Sequence, residues 1–185
     1  VMSSGVMDLL RGDNPDFDLR ANIHALESGK IWEYEGTKIS VLPAGHMLGA
    51  SQVLVELDDG IRLGYSGDFS WPLNRSISCD ALVVDATYGT PQSDRVYTQA
   101  EAEEKLVDLI RVQLRSNPVH LLGNSAVMER ALLAISIADI AGDVPILGND
   151  KLCDSVEVHQ QHGWPINNLL STEHEDGHKA LSNGI

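Results

Sequence analysis

Two short segments hold the residues best suited to chemistry. One is Pro43-Ala44-Gly45-His46-Met47-Leu48-Gly49-Ala50-Ser51 and the other is Tyr65-Ser66-Gly67-Asp68-Phe69. Each sets one polar side chain, His46 or Asp68, among glycines where an apolar run stops. Glycine lets a backbone pass close to an ion or substrate, and a strand end holds a side chain firmly without burying it. An imidazole and a carboxylate together suit zinc or another first-row divalent ion. Taken singly, each residue fits an ordinary tight turn better than a metal site, so the surrounding elements decide.

Those elements read as strands first. Ile39-Ser40-Val41-Leu42 runs into Pro43, and Gln52-Val53-Leu54-Val55-Glu56-Leu57 alternates, turns at Asp58-Asp59-Gly60 and returns through Ile61-Arg62-Leu63-Gly64-Tyr65. Ala81-Leu82-Val83-Val84 is a continuous apolar run, which predicts a strand buried on both faces. Upstream, residues 1–30 read as loop and helix, with a short apolar helix at Val6-Met7-Asp8-Leu9-Leu10 stopped by Gly12-Asp13-Asn14-Pro15. Downstream, helices alternate with strands. Thr98-Gln99-Ala100-Glu101 is a capping box leading a helix with Leu106, Leu109, Ile110 and Leu114 on one face. A strand is predicted at 119–122, a helix at 126–140, a strand at 144–147, and a helix capped by Asp150 that runs to Gly163. Hairpin strands followed by β-α-β-α predict a layered α/β domain.

With these elements in place, a third segment joins the first two: Val83-Val84-Asp85-Ala86-Thr87-Tyr88-Gly89. In this order and separation the three motifs closely resemble the RNA-processing branch of the metallo-β-lactamase superfamily, which includes the β-CASP nucleases and related exonucleases. The resemblance is clear over residues 31–90 and rests mainly on element order over 1–30 and 91–170. It implies a metallo-β-lactamase-like αββα sandwich, here its C-terminal half. His46 matches a histidine that binds one metal, and Asp68 matches the aspartate that bridges two metals and shares the activating water. Asp85 matches the acidic residue that orients a ligand or handles a proton; a structural role in the following turn is its alternative. Thr87, Tyr88 and Gly89 would line the cleft, although Tyr88 fits a core aromatic equally well. Two zinc ions are the implied cofactors, and RNA, with single-stranded DNA as a second choice, is the implied partner; a homodimer is compatible with it.

One departure from that pattern matters. The signature His-x-His-x-Asp-His should precede His46, and the only upstream histidine, His24 in Ala21-Asn22-Ile23-His24-Ala25, has none of its spacing. A truncated fragment explains this better than a degenerate enzyme, because the downstream motifs are intact. The apolar start at Val1 fits that expectation. Residues 1–90 are therefore expected to form the metallo-β-lactamase-like region, and 91–185 its continuation or the start of a β-CASP-like domain. The expected function is a zinc-dependent hydrolase or nuclease in the longer parent, inactive in this fragment alone. A non-catalytic subunit and a small-molecule metallo-hydrolase on the same fold are the alternatives.

Other candidates are weaker. His174 and His178 share i, i+4 spacing, but Gly177 and polar neighbours point to a solvated loop. Gly123-Asn124-Ser125-Ala126 resembles a nucleophile elbow without its second glycine, so Asn124 or Ser125 is expected to cap the next helix. His120 is expected on a sheet surface, and His159 and His162 read as ordinary helix residues. Cys79 and Cys153 have no CxxC partner, so neither a disulfide framework nor a zinc knuckle is indicated, and a reducing cytoplasm fits best. The net charge of −14 repels phosphate backbones, so any nucleic acid must be held by a local positive centre. That acidity also suits a high-salt cytoplasm. No apolar run approaches the roughly 20 residues that span a bilayer, and no signal peptide is evident.

Overall fold

A computed structural model describes residues 1–182 other than Pro15 and Asp143, with the side chain of Ala141 also outside the description. The chain divides into two compact units, Val1–Pro91 and Gln92–Ile185.

The first unit is built on the alternating strands. Helix α1 (Ser4–Asp13) follows a two-residue strand β1 (Met2–Ser3), and the Ser3 hydroxyl caps it by accepting the Val6 amide at 3.3 Å. The helix ends at Asp13, while the Pro15 part of the expected stop lies outside the described residues. Strand β2 (Ala25–Leu26) pairs in parallel with β1. Next come β3 (Ile31–Tyr34), β4 (Thr37–Pro43), β5 (Ser51–Glu56), β6 (Arg62–Tyr65) and β7 (Ala81–Val83), which form one sheet in sequence order. The β3–β4 hairpin turns on Glu35 and Gly36, both at positive φ, which matches the strand twist. The expected turn at Asp58-Asp59-Gly60 forms, with Asp59 Oδ1 accepting the Ile61 amide at 3.0 Å.

One expectation for this sheet fails. The run 81–84 is not buried on both faces: Leu82 is 52% and Val83 66% exposed. As the edge strand, β7 pairs with β6 alone, so its side chains have neighbours on one side only.

In the second unit, α2 (Gln99–Gln113) opens with the expected Thr98–Glu101 capping box. It packs on α3 (Ser125–Ile137), which Asn124 caps through the Val127 amide at 3.0 Å. Ile110 and Ile135 are the buried centre, surrounded by Leu106, Leu114, Val119, Leu121, Ile140 and Ile146. Leu109, expected on this face, is exposed, whereas Val107 is buried. The predicted strand at 119–122 does not form. Val119 and Leu121 turn into the Ile110–Ile135 core while His120 and Leu122 face water, but among the described residues no strand pairs with the segment, so His120 is on no sheet there.

Strand β8 (Ile146–Gly148) pairs in parallel with β9 (Leu169–Ser171), and α4 (Asp150–Gln161) connects them. The cap of α4 is Asn149, not Asp150; its Oδ1 accepts the Leu152 amide at 3.0 Å. The expected loop around Gly177 is instead helix α5 (Glu175–Ser182). Gly177 suits it because α5 lies so close to β9 that a β-carbon there would strike the Ser171 carbonyl.

Candidate metal centre

Strand direction decides which loops meet. β5 runs antiparallel to both β4 and β6, and β7 runs parallel to β6. The C-terminal ends of β4, β6 and β7 therefore share one edge of the sheet, where ligands of α/β sheets commonly bind. With strands about 4.8 Å apart, β4 and β6 are separated by only about 10 Å. The loops after these three strands carry His46, Asp68 and Asp85.

The first loop folds back on itself. Ala44 donates to Ala50 at 2.8 Å and Ala50 to Met47 at 3.1 Å. Gly49, at φ +76°, lies against the start of α1: a β-carbon would come within 2.5 Å of the Val6 nitrogen. The hydroxyls of Ser3 and Ser51 both donate to the Gly49 carbonyl, at 2.6 and 2.7 Å. This leaves His46 half-buried on a braced turn.

Two hydrogen bonds tie the three loops together. The Ser70 amide donates to the Ala44 carbonyl at 2.9 Å, joining the Asp68 loop to the His46 loop. The Asp85 amide donates to Ser66 Oγ at 2.8 Å, joining the Asp68 loop to the third. Asp68 lies between these ties and is exposed. Gly67 precedes it at φ +57°, where a β-carbon would stand 2.5 Å from the Ser51 carbonyl oxygen, so no other residue fits the turn.

Asp85 is held by its own turn. Its Oδ1 accepts the Thr87 hydroxyl at 2.6 Å and the Thr87 amide at 3.1 Å. The Thr87 hydroxyl, then the Thr87 amide, hold this carboxyl below its ordinary pKa against a small burial effect; the nearby His46 charge adds to the lowering.

Two residues that matter were not legible as functional. Gln52 is 2% exposed; its Nε2 donates to the carbonyls of Pro43 at 3.0 Å and Arg75 at 2.7 Å, and its Oε1 accepts the Ile77 amide at 3.1 Å. It braces the end of β4 and the 70–77 segment at once. Ser66 is 6% exposed and bridges two loops. The one available signal for Gln52 is a polar residue sharing the parity of Leu54 in an otherwise apolar strand start.

Other histidines do not join this edge. His24 stacks on Trp32 at 4.5 Å between ring centroids. His174 Nε2 lies 3.2 Å from Asp150 Oδ1, which also accepts the Ser171 hydroxyl, and His178 is exposed on α5. Among the described residues, no three His, Cys, Asp or Glu side chains converge as a metal site. The donor types at the sheet edge suit zinc, whereas catalytic zinc takes three protein ligands. His46 and Asp68 therefore fit part of such a centre.

No family model matches the chain. It is 28% identical over 131 residues to an uncharacterized protein of the lig 3′ region of Acidianus ambivalens, covering 70% of this chain and 91% of that protein. It is 28% identical over 138 residues to the endoribonuclease ysh1 of Schizosaccharomyces pombe, covering 68% of this chain and 18% of the enzyme. An RNase J-like protein of Methanocaldococcus jannaschii is 25% identical over 162 residues, covering 75% of this chain and 37% of that protein. The chain thus spans well under half the length of the latter two. Its fold is similar to that of a protein of unknown function from Enterococcus faecalis V583, with a TM-score of 0.56 at 18% identity, over 86% of this chain and 42% of that one. The chain is a homologue of RNA-processing nucleases, and the resemblance to the RNA-processing branch of the metallo-β-lactamase superfamily holds.

Proposed function

We propose that this chain carries part of the catalytic centre of a metal-dependent phosphodiesterase that cleaves RNA. The observation that supports it most is the meeting of three motif loops at the C-terminal ends of β4, β6 and β7. In this reading the His46 imidazole and Asp68 carboxylate are metal ligands, and Asp85, fixed by Thr87, orients a ligand or takes up a proton. Two zinc ions, once bound, would bring a water close to neutral pKa and offset the acidic field of the chain at a phosphate. The open glycine turn at 45 leaves room for a substrate backbone, and Tyr88, 72% exposed, offers a ring face to a base.

In this reading the remaining ligands lie outside these residues, and the 185 residues alone are expected not to cleave RNA. Residues 1–90 are the metallo-β-lactamase-like region, and 91–185 continue it or begin a β-CASP-like domain; the compact unit Val1–Pro91 supports that division. Single-stranded DNA is the second substrate to test, and sedimentation would check for a homodimer.

The test uses the complete gene product and single-stranded RNA. His46→Ala and Asp68→Asn are each expected to abolish metal-dependent cleavage. Wild-type turnover by Asp68→Asn would refute the two-metal assignment.

A further inference from the structure

Ser66 stands between the two acidic residues of the site and holds the backbone of both. Its amide donates to the Val83 carbonyl at 2.9 Å, which carries the β6–β7 pairing one step past the strands. Its hydroxyl donates to the Gly67 carbonyl at 2.8 Å and accepts the Asp85 amide at 2.8 Å. A serine hydroxyl has one hydrogen and two lone pairs, so both bonds are made by one rotor in one orientation. The Gly67 carbonyl belongs to the peptide unit that leads into Asp68, and the amide is that of Asp85 itself.

We infer that Ser66 is a positioning residue that sets the placement of Asp68 relative to Asp85, and so the geometry in which the centre holds its metals. The inference rests on the proposed function, which makes those two carboxylates part of the site. Three observations converge on it. Ser66 is 6% exposed, so water does not readily replace its bonds. Gly67 is pressed against the Ser51 carbonyl on its other side, so the turn has no slack to absorb a change. Asp85 is further locked by Thr87, so a displaced Asp85 amide moves the carboxylate as one body. Without the hydroxyl, the Asp85 amide and Gly67 carbonyl lose their shared partner, and the two loops separate.

Supporting groups around metal ligands typically account for about 10- to 100-fold in metal affinity or activity. Ser66→Ala, Ser66→Val and Ser66→Thr in the complete gene product separate hydroxyl from shape, because valine matches threonine in volume. Zinc affinity is read by competition with a chromophoric chelator, and kcat and KM by cleavage of single-stranded RNA. Ala and Val are expected to lose about 10- to 100-fold in zinc affinity and kcat with little change in KM, while Thr stays near wild type. Where Ala fails to fold, the Thr–Val contrast decides. Wild-type zinc affinity and kcat in Ala or Val, or a loss in Thr equal to that in Val, overturns the inference. Asp68→Asn is measured alongside: inactive Asp68→Asn with unaffected Ser66→Ala removes only the role of Ser66, whereas active Asp68→Asn removes the functional reading beneath it.

Discussion

The two compact units each gather acid and imidazole, in opposite ways. In the first, His46, Asp68 and Asp85 sit on loops at a sheet edge, and Asp68 is open to water. In the second, Glu129 on α3 and His159 on α4 are sealed inside, 6% and 0% exposed. His159 Nδ1 reaches the Ser155 carbonyl at 2.6 Å, and its ring meets Trp164 edge-on at 5.0 Å. Its Nε2 lies 3.0 Å from Glu129 Oε2, close but off the line of a straight hydrogen bond, so the contact is an ion pair when the imidazole is protonated. The edge keeps Asp68 within reach of a ligand, whereas the buried pair is shut away from solvent. Perturbed acid–imidazole pairs mark function where something else can reach them.

The buried pair gives the largest stability effect. Glu129→Ala leaves His159 enclosed without its counter-charge, and breaking such a pair costs about 3–5 kcal/mol. Joint replacement by Glu129→Leu and His159→Phe should recover most of that loss, since apolar substitutes often match a buried ion pair. Urea denaturation of the three proteins checks both; an unchanged midpoint in Glu129→Ala would dissolve the contrast between the units.

A pH dependence follows next in size. Burial pulls the His159 pKa down, but the contact with Glu129, the Ser155 carbonyl and the Glu129 charge together outweigh it, so the pKa is raised above its ordinary value. A raised folded-state pKa stabilises fully below the unfolded value of about 6.5 and fades as pH rises through the folded one. The stability difference between wild type and His159→Phe should therefore shift in favour of the variant from pH 6 toward pH 9. A difference independent of pH would mean that folding does not raise the His159 pKa, and a shift toward the wild type would mean that His159 is neutral when folded.

The smallest effect concerns the helix that carries His159. Asn149→Ala removes the cap of α4 and should cost about 1 kcal/mol, read as a lower midpoint. Turnover of RNA should not follow it.

Much of the first unit was legible because its signals are local. The alternation around Val53 and Leu63, the Asp58-Asp59-Gly60 turn and the glycines beside His46 and Asp68 each act within a few residues. The second unit was harder. The segment 119–122 has strand composition but no pairing partner among the described residues, and Gly177, which read as a loop signal, is the residue that lets α5 lie against β9. The Glu129–His159 pair was invisible for a similar reason: it exists only once α3 packs beside α4. Ser66 and Gln52 were overlooked because their role is to hold backbone, which leaves little mark in residue type beyond the parity of Gln52 with Leu54. The apolar run 81–84 misled in the other direction, since composition does not reveal which strand ends a sheet.

The most direct measurement sets the two regions against each other in the complete gene product. Cleavage of single-stranded RNA and thermal unfolding are recorded for Asp68→Asn and Glu129→Gln at a temperature where both are folded. The account predicts that Asp68→Asn loses turnover with little change in unfolding, and that Glu129→Gln unfolds earlier while its folded fraction still cleaves. Turnover retained by Asp68→Asn would contradict it.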